Sequence, residues 1–83
     1  LAEDVDEKLF DALRDVRTRL AARAGVPPYV IFSNATLTDM AVKQPSSEFD
    51  LLSVRGVGDA KARRYGKEFL TAIQKYRDEN LGK

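Results

Sequence analysis

Two consecutive prolines, Pro27 and Pro28, divide this chain of 83 residues more firmly than any other feature. Each fixes φ near roughly −65° and lacks an N–H donor, so a helix arriving from the N-terminal side stops before them. They lie in Gly25-Val26-Pro27-Pro28-Tyr29-Val30-Ile31-Phe32-Ser33, between two segments that read as helices. A tyrosine is thereby held on a connector whose backbone is already partly ordered. A rigid loop presenting an aromatic ring suits binding better than catalysis.

The flanking segments carry helical periodicity. Val5, Leu9, Leu13, Val16 and Leu20 recur at spacings of three and four, which predicts one apolar stripe on a helix from about Val5 to Ala24, stopped by Gly25. At about 100° per residue, Arg14 and Arg17 fall about 60° apart beyond one edge of that stripe and Arg19 beyond the other. A shared basic patch can therefore use Arg14 and Arg17. Val30, Ile31 and Phe32 form an apolar plug too short for a helix, expected to pack into the core. Ser33 or Asn34 caps a helix over about Ala35 to Lys43, with Leu37, Met40 and Ala41 on its apolar side, and Gln44-Pro45 ends it. Ser46 or Ser47 caps a short helix around Glu48 to Ser53, expected to bury Phe49, Leu51 or Leu52, and Val54. After Gly56 and Gly58, Asp59 opens a last helix to about Asn80, with Ala62, Tyr65, Phe69, Ile73 and Tyr76 facing the core. No alternating run of strand length stands out, so the fold class expected is all-α, one small domain with a single core.

Cysteine and histidine are both absent, which removes disulfides, Cys/His zinc sites, cysteine nucleophiles and a histidine general base. Carboxylate chemistry is not removed, but the acidic pairs Asp4 and Asp6, and Asp78 and Glu79, stand at helix ends beside no other catalytic group. Gly56-x-Gly58 is followed by Lys61 where a dinucleotide fingerprint needs glycine, and Gly66-Lys67 lacks the spacing and the Ser or Thr of a P-loop. No window is long and apolar enough to span a membrane, and no basic-then-apolar leader opens the chain, so a soluble protein is expected. The first residue is Leu1 rather than methionine, which suggests a domain cut from a longer protein.

The net charge of +1 hides an uneven distribution. Residues 1–15 hold six acids against two bases, residues 16–67 nine bases against four acids, and the remainder balances. A mildly basic middle fits weak anion binding. Two constellations fit that purpose. One joins Tyr29 with Ser33, Asn34 and Thr36 and with the first-helix arginines Arg14, Arg17 and Arg23. It offers a flat ring for an unstacked base, cations for phosphates, and the orphan N–H groups of a helix start. The other is Leu52-Ser53-Val54-Arg55-Gly56-Val57-Gly58-Asp59-Ala60-Lys61-Ala62-Arg63-Arg64-Tyr65. It resembles a helix-hairpin-helix turn, whose glycines permit positive φ and close approach while Arg55, Lys61 and Arg64 add charge. Such a turn also serves simply to pack two helices.

Four blocks taken in order resemble one family. They are Leu9-Phe10-x-x-Leu13-Arg14, Val26-Pro27-Pro28-Tyr29-Val30-Ile31-Phe32-Ser33-Asn34-Ala35-Thr36-Leu37, Leu51-Leu52-Ser53-Val54-x-Gly56-Val57-Gly58, and Arg64-Tyr65-Gly66-x-x-Phe69. Together they resemble the HRDC (helicase and RNase D C-terminal) domain over about Asp6 to Arg77, in the Pro-Pro-Tyr form of bacterial RecQ helicases rather than that of RNase D-like exonucleases. The resemblance implies a compact bundle of about five short helices over residues 1–83, excised from the C-terminal end of a larger helicase. It further implies an accessory role in DNA repair and recombination, contacting single-stranded or partly unpaired DNA through Tyr29 and the Ser33-Asn34 helix start. Arg55, Gly56, Gly58, Lys61 and Arg64, from the helix-hairpin-helix-like turn, are secondary candidates for DNA contact. No cofactor is expected in the domain itself; ATP and magnesium would belong to other parts of the parent. A monomer in the bacterial cytoplasm, associated with the nucleoid, is expected. The alternative is a regulatory module that docks on the helicase core of the same chain or on a partner protein.

Overall fold

The computed structural model describes residues 5–81. Helix α1 (Glu7–Ala24) starts two residues later than the apolar stripe suggests, because Asp6 is its N-cap: its Oδ1 accepts from the N–H groups of Lys8 at 2.9 Å and Leu9 at 3.2 Å. Val5 just before the cap and Phe10 in the first turn are both buried, the placement of a hydrophobic staple. At the other end Gly25 adopts φ 69°, and its N–H and that of Val26 close on the last carbonyls of the helix.

The segment after the prolines corrects the expectation of an irregular plug. Pro28–Ile31 forms a single helical turn, α2, entered from Pro27. Pro28 occupies the first helical position, where no N–H is needed and its fixed φ is already helical. The resemblance to a five-helix bundle anticipated this element; the periodicity did not, since one turn is too short to show a period. Ser33 then caps α3 (Asn34–Lys43), accepting from the Thr36 N–H at 3.1 Å, and Gln44 at φ 46° ends it ahead of Pro45. Ser47 caps the short α4 (Glu48–Leu51), and a turn through Gly56 leads into α5 (Asp59–Leu81). Among the described residues there is no strand, and no helix is long and apolar enough to cross a membrane.

Helix α1 packs against α2, α3 and α5, and α4 against α5. Leu9, Leu13, Ile31, Leu37, Met40, Leu51 and Phe69 lie fully inside. The Phe32 ring meets Phe69 edge-on at 5.1 Å between centroids and Tyr65 at 6.5 Å, so the stem of the Tyr29 turn is locked into the core. Helix α4 comes so near α5 that a Cβ on Gly66 would lie 2.8 Å from Leu51 Cδ1.

Phe49 is not part of the core. It is 81% exposed and Leu52 is 40% exposed, while Leu51 and Val54 are buried. In one turn of helix only one side can face inward. Leu51 and Val54, three apart, take it, and Phe49 and Leu52, also three apart, are turned to solvent.

A carboxylate fastens α3 to the turn before α5. Asp39 accepts from the Arg55 N–H at 2.8 Å and pairs with the Lys43 ammonium at 3.0 Å. These partners hold its carboxyl below the usual range, the Arg55 N–H first and Lys43 next. Asp6, held by the Tyr76 hydroxyl, and Asp50, held by the Ser46 hydroxyl, shift the same way. A carboxyl lower in the folded than in the unfolded chain contributes stability above the unfolded value of about 4, and that contribution disappears as pH falls through the folded value. Thermal melts should therefore show the midpoint dropping below about pH 4. Asp39→Asn should start lower at pH 6 and decline less steeply; an unchanged slope would remove Asp39 from this role.

Candidate nucleic-acid interface

Tyr29 is 72% exposed although its neighbours Ile31 and Phe32 are fully buried. The turn beneath it is tied at both ends: the Val30 N–H donates to Pro27 O at 3.0 Å, and Arg17 Nη1 donates to Phe32 O at 3.0 Å. The ring therefore stands on an anchored platform and contributes little to the core. Immediately after it come Ser33, Asn34 and Ala35, all exposed at the start of α3. The N–H groups of Asn34 and Ala35 have no intrahelical partner by their position in the first turn.

The two constellations that the sequence left apart form one surface. Gly56, at φ 82°, presses on α3 so closely that a Cβ would lie 2.4 Å from Thr36 Oγ1. Lys61 Nζ sits 5.8 Å from the centroid of the Phe32 ring, one residue before the Ser33 cap. The Gly56–Lys61 turn thus abuts the cap of α3 and the base of α2. Arg64, one turn further along α5, and Arg55 are both exposed, and neither is in an ion pair among the described residues. Gly58 has open space where a Cβ would stand, so it is the glycine of the turn that backbone or ligand could approach.

Two expected contact residues are corrected. Arg17 is only 8% exposed and serves the Phe32 carbonyl, so it does not present a cation to solvent. Phe10, Arg17 and Ala21 recur at seven and four along α1 and widen its buried face. The signal was in the sequence, since Arg17 lies four residues after Leu13 and three before Leu20. Thr36 is likewise buried, its hydroxyl 3.1 Å from that of Ser33 and packed under Gly56. It braces the cap from inside.

Arg14 and Arg23 are exposed but engaged. Arg14 pairs with Asp11 at 3.2 Å and lies 5.9 Å from the Phe10 ring centroid; Arg23 pairs with Glu68 at 2.8 Å. Exposed pairs of this kind contribute only about 0–1 kcal/mol, so a phosphate can displace either carboxylate at small cost.

Comparison with known proteins bears on the family and the fold. The HRDC domain family profile matches residues 6–73. The ATP-dependent DNA helicase RecQ of Bacillus subtilis is 49% identical over 71 residues, covering 86% of this chain and 12% of that protein. The RecQ of Haemophilus influenzae is 39% identical over 72 residues, 87% of this chain and 12% of its own length. UvrD2, an ATP-dependent DNA helicase of Mycobacterium tuberculosis, is 34% identical over 73 residues, 88% of this chain and 10% of its own. The chain thus spans about a tenth of the curated relatives it matches. A solved structure described as D. radiodurans RecQ HRDC domain 3 superposes with a TM-score of 0.81 at 37% identity, covering 84% of this chain and 92% of that one. On sequence, helix order and superposition alike, this chain belongs to the HRDC domain family.

Proposed function

We propose that this domain is an accessory single-strand DNA-binding element of a RecQ-type ATP-dependent helicase, engaging unpaired or partly unpaired DNA during repair and recombination. The observation that carries the proposal is Tyr29: a ring 72% exposed on a turn whose last residue Ile31 and the following Phe32 are fully buried. Fold stability does not account for an aromatic side chain in that position, whereas a stacked base does. Phosphates on either side of that base would meet Arg14, Arg23, Lys61 and Arg64, and the N–H groups that open α3 beside Ser33 and Asn34. ATP, magnesium and strand separation belong to other parts of the parent.

The test is a titration of labelled single-stranded oligonucleotide with the wild-type chain, Tyr29→Ala and Tyr29→Phe at two salt concentrations. Stacking on a ring is worth about 1–3 kcal/mol, so Tyr29→Ala should weaken binding about tenfold while Tyr29→Phe stays near wild type. The melting temperature should hardly change, because the ring is outside the core. Binding that is indifferent to salt, or unaffected by Tyr29→Ala, would sink the proposal. Docking onto the helicase core or another protein is the rival reading. It draws support from a different face, the outward pair Phe49 and Leu52 on α4, and predicts that Phe49→Ser rather than Tyr29→Ala disturbs the parent enzyme.

A further inference from the structure

The +1 net charge conceals a basic ridge on α5. Between Ala60 and Arg77 six cations accompany a single acid, Glu68. Glu68 is half-buried and held by Arg23 at 2.8 Å. The exposed positions from Ala60 to Lys75 are Arg63, Arg64, Lys67 and Lys75, with Ala60, Thr71 and Gln74 between them, and not one is acidic. None of the four cations is in an ion pair among the described residues. From Arg63 to Lys75 the ridge runs about 18 Å at 1.5 Å per residue, about five steps of one duplex strand at 3.4 Å each. Thr71 is a polar side chain of the kind that meets phosphate and sugar, and Gln74 donates to Asp78 Oδ1 at 2.9 Å where the row of cations ends.

We infer that this ridge, a second contact surface beside the Tyr29 face, binds the phosphate backbone of paired DNA. The ridge carries no exposed aromatic ring, so it has nothing on which to stack unpaired bases, and a row of cations along a straight helix suits a backbone already held in regular form. The Tyr29 face has the opposite equipment. Arg64 and Lys61 lie where α5 passes the Phe32 ring, so the two surfaces meet at the first turns of that helix. A DNA end with both paired and unpaired segments can then occupy both. This extends the single-strand proposal to a different face, and each fails on its own.

The experiment measures binding of three labelled DNAs, a single strand, a blunt duplex and a duplex with a single-stranded tail, across a salt series. The proteins are wild type, Tyr29→Ala, Arg63→Gln/Lys67→Gln, and the charge-preserving Arg63→Lys/Lys67→Arg, each checked for folding by circular dichroism. Arg63→Gln/Lys67→Gln should weaken duplex binding about tenfold, make its log–log salt slope shallower by about 1.8, and leave single-strand affinity within about twofold. Tyr29→Ala should do the reverse, and the tailed duplex should respond to both. The inference is overturned if wild type does not bind duplex, if the duplex slope is unchanged in the ridge variant, or if the charge-preserving variant loses as much. It is also overturned if the ridge variant weakens single strand and duplex by one common factor. Loss of the Tyr29 effect alone would overturn the single-strand proposal and leave the ridge standing.

Discussion

Gly56→Ala should destabilise the domain by about 3 kcal/mol, the sum of roughly 1–2 kcal/mol for a side chain in the left-handed region and a similar amount for overpacking. Gly56 sits at φ 82°, and a Cβ there would overlap Thr36 Oγ1 at 2.4 Å. Thr36 has no room to retreat, since it is buried and its hydroxyl is engaged with Ser33. For a domain of this size the melting temperature should fall by about 15 °C. Gly58→Ala is the control. Gly58 is outside the positive-φ region and nothing lies within 4 Å of its would-be Cβ, so stability should stay within about 0.5 kcal/mol of wild type. If the two glycines tolerate alanine equally, the close approach of the turn to α3 is wrong. If Gly58→Ala weakens DNA binding with the fold intact, Gly58 lies under the ligand.

This contrast separates two roles that a Gly-x-Gly pattern leaves mixed. In the sequence both glycines serve equally well as packing residues or as points of backbone approach. In the fold Gly56 is internal, clamping the turn to the capped start of α3, and Gly58 is open. The clamp brings Lys61 and Arg64 to the side of the bundle that presents Tyr29.

What periodicity revealed and what it missed follow from length and reach. The long stripes of α1 and α5 were legible because many residues repeat the same face, and the Ser33 cap was legible because its chemistry is local. The α2 turn was not, since four residues carry no period and two prolines read as a break; only the family resemblance supplied the fifth helix. Phe49 shows the same limit: one turn cannot reveal which of Phe49, Leu51 and Leu52 faces inward, and the choice is made by Gly66 of α5, which opens space for Leu51 alone. The joining of Ser33, Gly56 and Lys61 depends on contacts twenty or more residues apart in sequence, beyond any local pattern. That the backbone under Tyr29 is ordered was legible, because the prolines fix it locally.

Arg17→Ala should cost about 3 kcal/mol of stability, while leaving no surface cation missing. The guanidinium donates to the Phe32 carbonyl at 3.0 Å, and its Nε has no partner. Burial, and then the charge of Arg14, pull its pKa below the ordinary arginine value. Truncation leaves that carbonyl without its donor, about 1–3 kcal/mol, and empties the space filled by the stem. Arg17→Met keeps the stem while removing the charge and the orphan Nε, so its loss should be smaller, about 1 kcal/mol. Melts of the two variants give the order wild type, Met, Ala. Because Arg17 holds the turn that carries Tyr29, the alanine variant should bind single-stranded DNA more weakly near its melting range and normally well below it. The result against this role is specific: a variant melting like wild type yet binding as poorly as Tyr29→Ala at every temperature. That would make Arg17 a phosphate contact after all, whereas temperature-dependent loss identifies it as the residue that positions the aromatic platform.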